Sequence, residues 1–157
     1  MSVRHPVNAA GWLYGAVITA SLFTLAGAHP ADYPRILLVV VSTLIMYWLA
    51  HVYTRVIADR LADPTAALGL RIREALHHEV SILAGSIPAV VAYIIFVAVG
   101  LTNYATWAAL WVSVLLLGLV GFRIGRQTGG GFGRLVLETV GCSMFGLVMI
   151  GLKALLH

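Results

Sequence analysis

Residues 80–122 contain no Asp, Glu, Lys, Arg or His, a run of 43 positions. Soluble domains average about 25% charged residues, whereas this chain has 10%. That scarcity excludes an ordinary water-soluble fold. The lone cysteine, Cys142, excludes an intrachain disulfide, and within an apolar stretch it reads as a small packing residue. The segment 127–133 holds four glycines but no Gly-Lys-Ser/Thr, so it is a turn and not a phosphate cradle. No Thr-Val-Gly-Tyr-Gly filter is present. His-Glu-x-x-His and Gly-x-Ser-x-Gly signatures are missing as well, and an enzymatic role is the less favoured reading. An inverted internal repeat is also lacking, which weighs against a self-contained secondary transporter.

What is there is apolar length. Hydrophobic residues make up 61% of the chain, and its mean hydropathy is +0.95. About 20 apolar residues cross the roughly 30 Å hydrocarbon core as a helix. The 43-residue run therefore holds two spans, broken at Gly100-Leu101-Thr102-Asn103-Tyr104. Residues 9–28 give 20 positions without charge. Residues 36–54 give 19 with only His51 ionisable, and 135–152 give 18 around Glu138 up to its last turn. The expectation is an all-α polytopic membrane protein, a single membrane domain over 1–157. Its five spans fall at about 8–28, 35–58, 77–101, 104–125 and 133–154. Residues 59–76 form the one longer stretch outside the bilayer. Arg4, His5 and the small residues Ala26-Gly27-Ala28 imitate a secretory leader. The apolar stretch is longer than a usual leader core, which favours a retained first helix.

Charge sets the expected orientation. Alternating spans place Arg4, Arg55, Arg60, Arg71, Arg73, Arg123, Arg126 and Arg134 on one side, eight of the ten basic residues. Arg35 and Lys153 fall on the other. Lys and Arg are retained in cytoplasmic loops, so the N-terminus is expected inside and the C-terminus outside. Trp107 and Trp111 then start the fourth span at the outer interface, where amphipathic rings are favoured. The formal charge of +4 fits attraction to anionic inner-leaflet lipids and calls for no nucleic-acid partner. The His-x-Tyr…Arg pattern at 51–55 and His77-His78-Glu79 resemble small polytopic bacterial membrane proteins, which implies the cytoplasmic membrane.

Ionisable side chains inside spans are costly and mark sites by default. Thr43, Tyr47, His51 and Arg55 recur every four residues, one stripe of the second helix. Glu79, Ser86 and Tyr93 recur every seven on the third, and Pro88 is placed to kink it. On the fifth, Glu138, Gly141, Cys142, Phe145 and Met149 are expected to share a face. His51, Tyr47, Glu79, Glu138 and Arg55 thus form a candidate ion pathway or proton relay at one depth in the inner half of the bilayer. The bland alternative is that these groups glue helices together.

Glu74-x-x-His77 matches half of a carboxylate-bridged metal motif. Glu74, His77, His78 and Glu79 are therefore a candidate site for a divalent metal such as zinc, manganese or iron. A solvated helix start is the simpler account of the same residues. Gly118, Gly121, Gly125, Cys142 and Gly146 are small residues suited to close helix packing. Some of that packing is expected between subunits of a homo-oligomer, a dimer or small ring. Three functions remain open. They are an oligomeric channel or carrier for protons or small cations, a non-transporting accessory or scaffold subunit, and a membrane metalloenzyme or metal-binding protein.

Overall fold

The computed structural model describes residues 9–26, 32–62, 67–127 and 132–156. Arg4, His5, the end of the Ala26-Gly27-Ala28 motif and most of the 127–133 turn lie outside those residues, as does the Arg134 side chain. The described residues form five helices and no strand: α1 (Ala9–Ala26), α2 (Tyr33–Ala62), α3 (Leu68–Ala98), α4 (Thr102–Gln127) and α5 (Phe132–Leu156). The last four are long and apolar enough to cross a membrane. The 18 residues of α1 are shorter, about 27 Å at 1.5 Å per residue. This is the architecture of an integral membrane protein.

Two helices run past their expected ends. α3 begins at Leu68 and not near residue 77, and α2 continues to Ala62. Both reach about 45 Å, some 15 Å more than the hydrocarbon core needs. The added turns are mostly helix formers, Leu, Arg, Glu and Ala. They also pack: Ala75 of α3 is buried with Val52 and Val56 of α2. Arg71, itself buried, donates from Nη1 to the Asp59 carbonyl and ties the two extensions together. A seemingly polar connector is thus largely a helical hairpin.

Between α3 and α4 the chain turns in three residues. Gly100 takes φ +82, the left-handed region that a side chain opposes. Its N–H bonds the Val97 carbonyl at 3.1 Å, and the Leu101 N–H reaches back to Phe96 at 2.9 Å. This pair of bonds is the Schellman closure of a helix end. Thr102 opens the next helix at once.

α1 is the shortest helix and the central one, packed against all four others. It approaches α3 at glycines. A Cβ on Gly11 would overlap the Ser81 side chain, one on Gly15 the Ile82 carbonyl, and one on Gly85 the Trp12 backbone. Its threonines hide their hydroxyls on their own helix, Thr19 on the Gly15 carbonyl at 2.7 Å and Thr24 on Ala20 at 2.8 Å. Farther along, Phe23 stacks on Tyr93 with ring centroids 4.8 Å apart. Around this pair lie Ala20, Ile36, Val40, Leu44, Ala89, Ala105, Ala109 and Leu110, the main core. Tyr93 satisfies its hydroxyl by donating to the Tyr33 carbonyl at 3.2 Å.

Candidate functional site

The arginine-rich end of the α2–α3 seam carries the densest polar contacts among the described residues. Arg55 lies four residues beyond His51 on α2 and faces the start of the apolar part of α3. Its Nη1 donates to Glu79 Oε1 at 3.0 Å. The same Nη1 is 2.8 Å from His78 Nδ1, and that imidazole nitrogen is 3.2 Å from the same carboxylate oxygen. Three groups therefore meet at one point. Glu79 is the buried member, with 10% of its side chain exposed, while Arg55 and His78 show 38% and 44%. A carboxylate leaving water needs a charge partner or a full set of hydrogen bonds, and Arg55 supplies the charge together with one bond to Oε1.

His51 sits one turn away toward the middle of α2, in an aromatic setting. The Tyr47 ring is 4.3 Å from it and the Tyr14 ring of α1 is 6.1 Å away, centroid to centroid. His51 Nδ1 is 3.2 Å from the Tyr47 carbonyl, an oxygen that can only accept, so Nδ1 carries a proton in this contact. Tyr14 is absent from the sequence-derived set. The signal that would reveal it is position: it lies one turn into α1, as deep as His51 on α2. Thr43, the remaining member of the α2 stripe, is exposed. On α3 the seven-residue repeat is inward-facing throughout, with Glu79, Ser86 and Tyr93 all buried.

Glu138 is placed elsewhere. Among the described residues α5 packs chiefly on α4 and α1. A Cβ on Gly121 would come 2.8 Å from the Glu138 carbonyl, and one on Gly125 would lie 3.5 Å from Glu138 Oε2. Glu138 thus belongs to the α4–α5 seam, while Glu79 belongs to α2–α3. The small residues of that seam meet within one chain: Gly118 faces Ser143, Gly121 faces Cys142, Gly125 faces Leu135, and Gly146 faces Val114. The face of α5 differs in detail from the expected one. Gly141 and Phe145 are exposed, and Gly146 and Lys153 are buried instead. The contact line follows 135, 138, 142, 146, 149 and 153, spacings of three and four that keep one face of a helix.

Glu74 and His77 are exposed on the α3 extension, one turn before the junction. No three His, Cys, Asp or Glu side chains are grouped to hold a metal ion among the described residues. Glu79, the best-placed carboxylate, already faces a guanidinium.

At the opposite end of the bundle Lys153 is buried, 1% exposed. Its Nζ donates to Thr106 Oγ1 and lies 4.9 Å from the Trp107 ring centroid. Sequence alone reads this lysine as an outer-loop charge. Only packing reveals that it folds back onto α4, its ammonium held by a hydroxyl and an aromatic face.

No protein-family model, curated protein or solved structure matches this chain.

Proposed function

We propose that the chain crosses a bacterial cytoplasmic membrane five times, N-terminus inside and C-terminus outside, and acts as a small oligomeric channel or carrier for protons or small cations. The observation that carries this reading is Glu79. It is 8% exposed, lies within a long apolar helix, and meets Arg55 and His78, which are themselves partly exposed. An ionisable group in such a place is costly, and ion pathways are among its recurrent uses. The charge bias supports the orientation, since the exposed Arg60, Arg73, Arg123 and Arg126 all fall at the end that would meet anionic inner-leaflet headgroups. α5 leaves most of its apolar surface uncovered, a face suited to a second copy.

Glu79, His51, Tyr47 and Arg55 form the inner site in this reading, and Glu138 acts from a separate seam. The test is flux into liposomes holding purified protein, followed with a pH-sensitive dye and with manganese or zinc indicators. Glu79→Gln should abolish flux while leaving the protein folded in detergent, and Glu138→Gln should reduce it less. A wild-type protein that moves no ion would overturn the proposal.

The second reading, a non-transporting scaffold subunit, is favoured by the same ion pair seen differently. Arg55 and Glu79 bridge α2 to α3, as interhelical glue does. It predicts no flux, together with weakened assembly in Glu79→Gln.

A further inference from the structure

A groove of about 200 Å³ runs between α2 and α3. It opens away from the rest of the bundle. α1 meets α3 at Ser81, Ile82 and Gly85, while Leu83, Ile87 and Val91 recur every four residues on the opposite face. The rim is Val41 and Ile45 of α2 with Ile87 and Val91 of α3, all exposed. Among the lining residues only Ser86 carries a polar side chain, and its hydroxyl donates to the Leu83 carbonyl at 2.7 Å. Water or a polar ligand therefore finds nothing to bind, and an apolar cavity takes an apolar guest. A second helix is a poor guest. Close helix approach needs small residues, yet α2 contains no glycine and Gly85 of α3 is already met by the Trp12 backbone.

The same face of α3 leads from the groove to a cation. Arg73, Leu76, Val80, Leu83, Ile87 and Val91 follow at spacings of three and four, which keep one face of a helix. Arg73 and Val80 are exposed. Leu76 and Trp48 fill the seam between them and the groove by packing on Val52 and Ala75, so the path is apolar throughout. Glu74 is turned about 100° round the helix from Arg73. Leu83 lies ten residues and Val91 eighteen residues beyond Arg73, about 15 and 27 Å along the axis. A lipid leaflet is about 20 Å deep from headgroup to chain end, and an arginine extends its charge several ångströms along apolar surface.

We infer that the α2–α3 groove binds one phospholipid of the inner leaflet, its phosphodiester on the Arg73 guanidinium and one acyl chain running past Val80 into the groove. The guanidinium fork matches a phosphate with two parallel N–H bonds, and the chain end fills the space between Ile45 and Ile87. The lipid thereby covers the middle of the helix pair that carries Arg55 and Glu79. The inference goes beyond the carrier reading and takes from it only the orientation. With the arginine end outside, the same contacts would hold an outer-leaflet lipid.

The experiment is native mass spectrometry of the full chain in detergent, titrated with phosphatidylglycerol and separately with the diacylglycerol of the same chains. The wild type should retain one phosphatidylglycerol per chain, and the diacylglycerol about tenfold less, for want of the charge-assisted bonds. Arg73→Gln should weaken phosphatidylglycerol retention by about tenfold and leave the diacylglycerol unchanged. Ile87→Trp, which fills the groove from an exposed position, should weaken both. Ile45→Trp should do the same from α2, so a folding defect in one variant leaves the other to decide. Arg126→Gln, at an exposed arginine of α4 away from the groove, should behave like the wild type. Undiminished phosphatidylglycerol in Arg73→Gln, or in the folded groove variants, would overturn the inference. So would a loss in Arg126→Gln as large as in Arg73→Gln, the mark of charge attraction without a site. Site-selective retention without ion flux in liposomes refutes the carrier reading alone, and flux beside unselective lipid binding refutes this inference alone.

Discussion

The α4–α5 and α2–α3 seams join neighbouring antiparallel helices by different means. Along α4–α5, glycines at 118, 121, 125 and 146 let the backbones close in, and side chains such as Cys142, Leu135 and Val114 fill the space. Along α2–α3 the ends are fastened by polar groups, Arg55 on Glu79 at one and Tyr93 on the Tyr33 carbonyl at the other. Between them lies a shallow apolar groove of about 200 Å³ lined by Leu44, Ile45, Leu83, Ile87 and Val91. Close packing spreads attraction over many weak contacts. A seam pinned at two points rests instead on a few directed contacts.

The largest expected effect lies outside both seams and sets their scale. Gly15→Leu drives a side chain into the Ile82 backbone. It should cost more than the about 1–3 kcal/mol typical of overpacking, because α1 touches every other helix. Thermal melting in detergent should show loss of the folded species, while Gly69→Leu, at a glycine with open space around it, should melt like the wild type.

Next is Arg55→Leu, which leaves the Glu79 carboxylate without its guanidinium. Removing one partner of a fully buried pair costs about 3–5 kcal/mol. Arg55 is 38% exposed, so water screens part of this and about 1–3 kcal/mol is expected. The Arg55→Leu/Glu79→Leu double variant should recover most of it. If the double variant is as unstable as the single one, the pair is not what fastens α2 to α3.

Gly121→Val tests the packed seam. Its new Cβ would meet the Glu138 carbonyl at 2.8 Å, for a loss of about 1–2 kcal/mol. Gly141→Val, at an exposed glycine of α5 with nothing within 4 Å, should cost nothing measurable. Equal losses at the two sites would mean that α4 and α5 do not meet at these glycines.

Lys153→Met should have the smallest effect. Methionine keeps much of the volume and gives up one hydroxyl bond and the Trp107 contact. Replacing a buried ion by an apolar group of similar size is often neutral, so a change within about 1 kcal/mol is expected by thermal melting. A large loss would show that the ammonium holds α5 to α4.

The polar groups show where sequence reasoning reaches and where it stops. His51, Arg55 and Glu79 are legible from spacing alone, because hydrocarbon offers no partner and polar positions in a span must turn inward. Their common depth is legible too. That Glu138 sits on another seam is not, since depth fixes height along the bundle normal and says nothing about position around it. Tyr14 and the close approach at Gly11 and Gly15 depend on which helix lies beside α1, although Gly11-x-x-x-Gly15 is a small-residue pair in the sequence. Lys153 was unreadable, because a basic residue near a helix end usually extends to water.

By itself the sequence determined that the chain is helical, apolar enough for a membrane, and broken at Gly100. These follow from local composition and length, which act whatever the neighbours are. Tertiary structure alone decided that the shortest helix is the central one, that α2 and α3 extend together past the apolar run, and that Glu79 meets Arg55 and His78 while Glu138 meets α4. Which helix lies beside which depends on the complementarity of whole surfaces, a property of pairs of segments distant in sequence. No single stretch of residues encodes it.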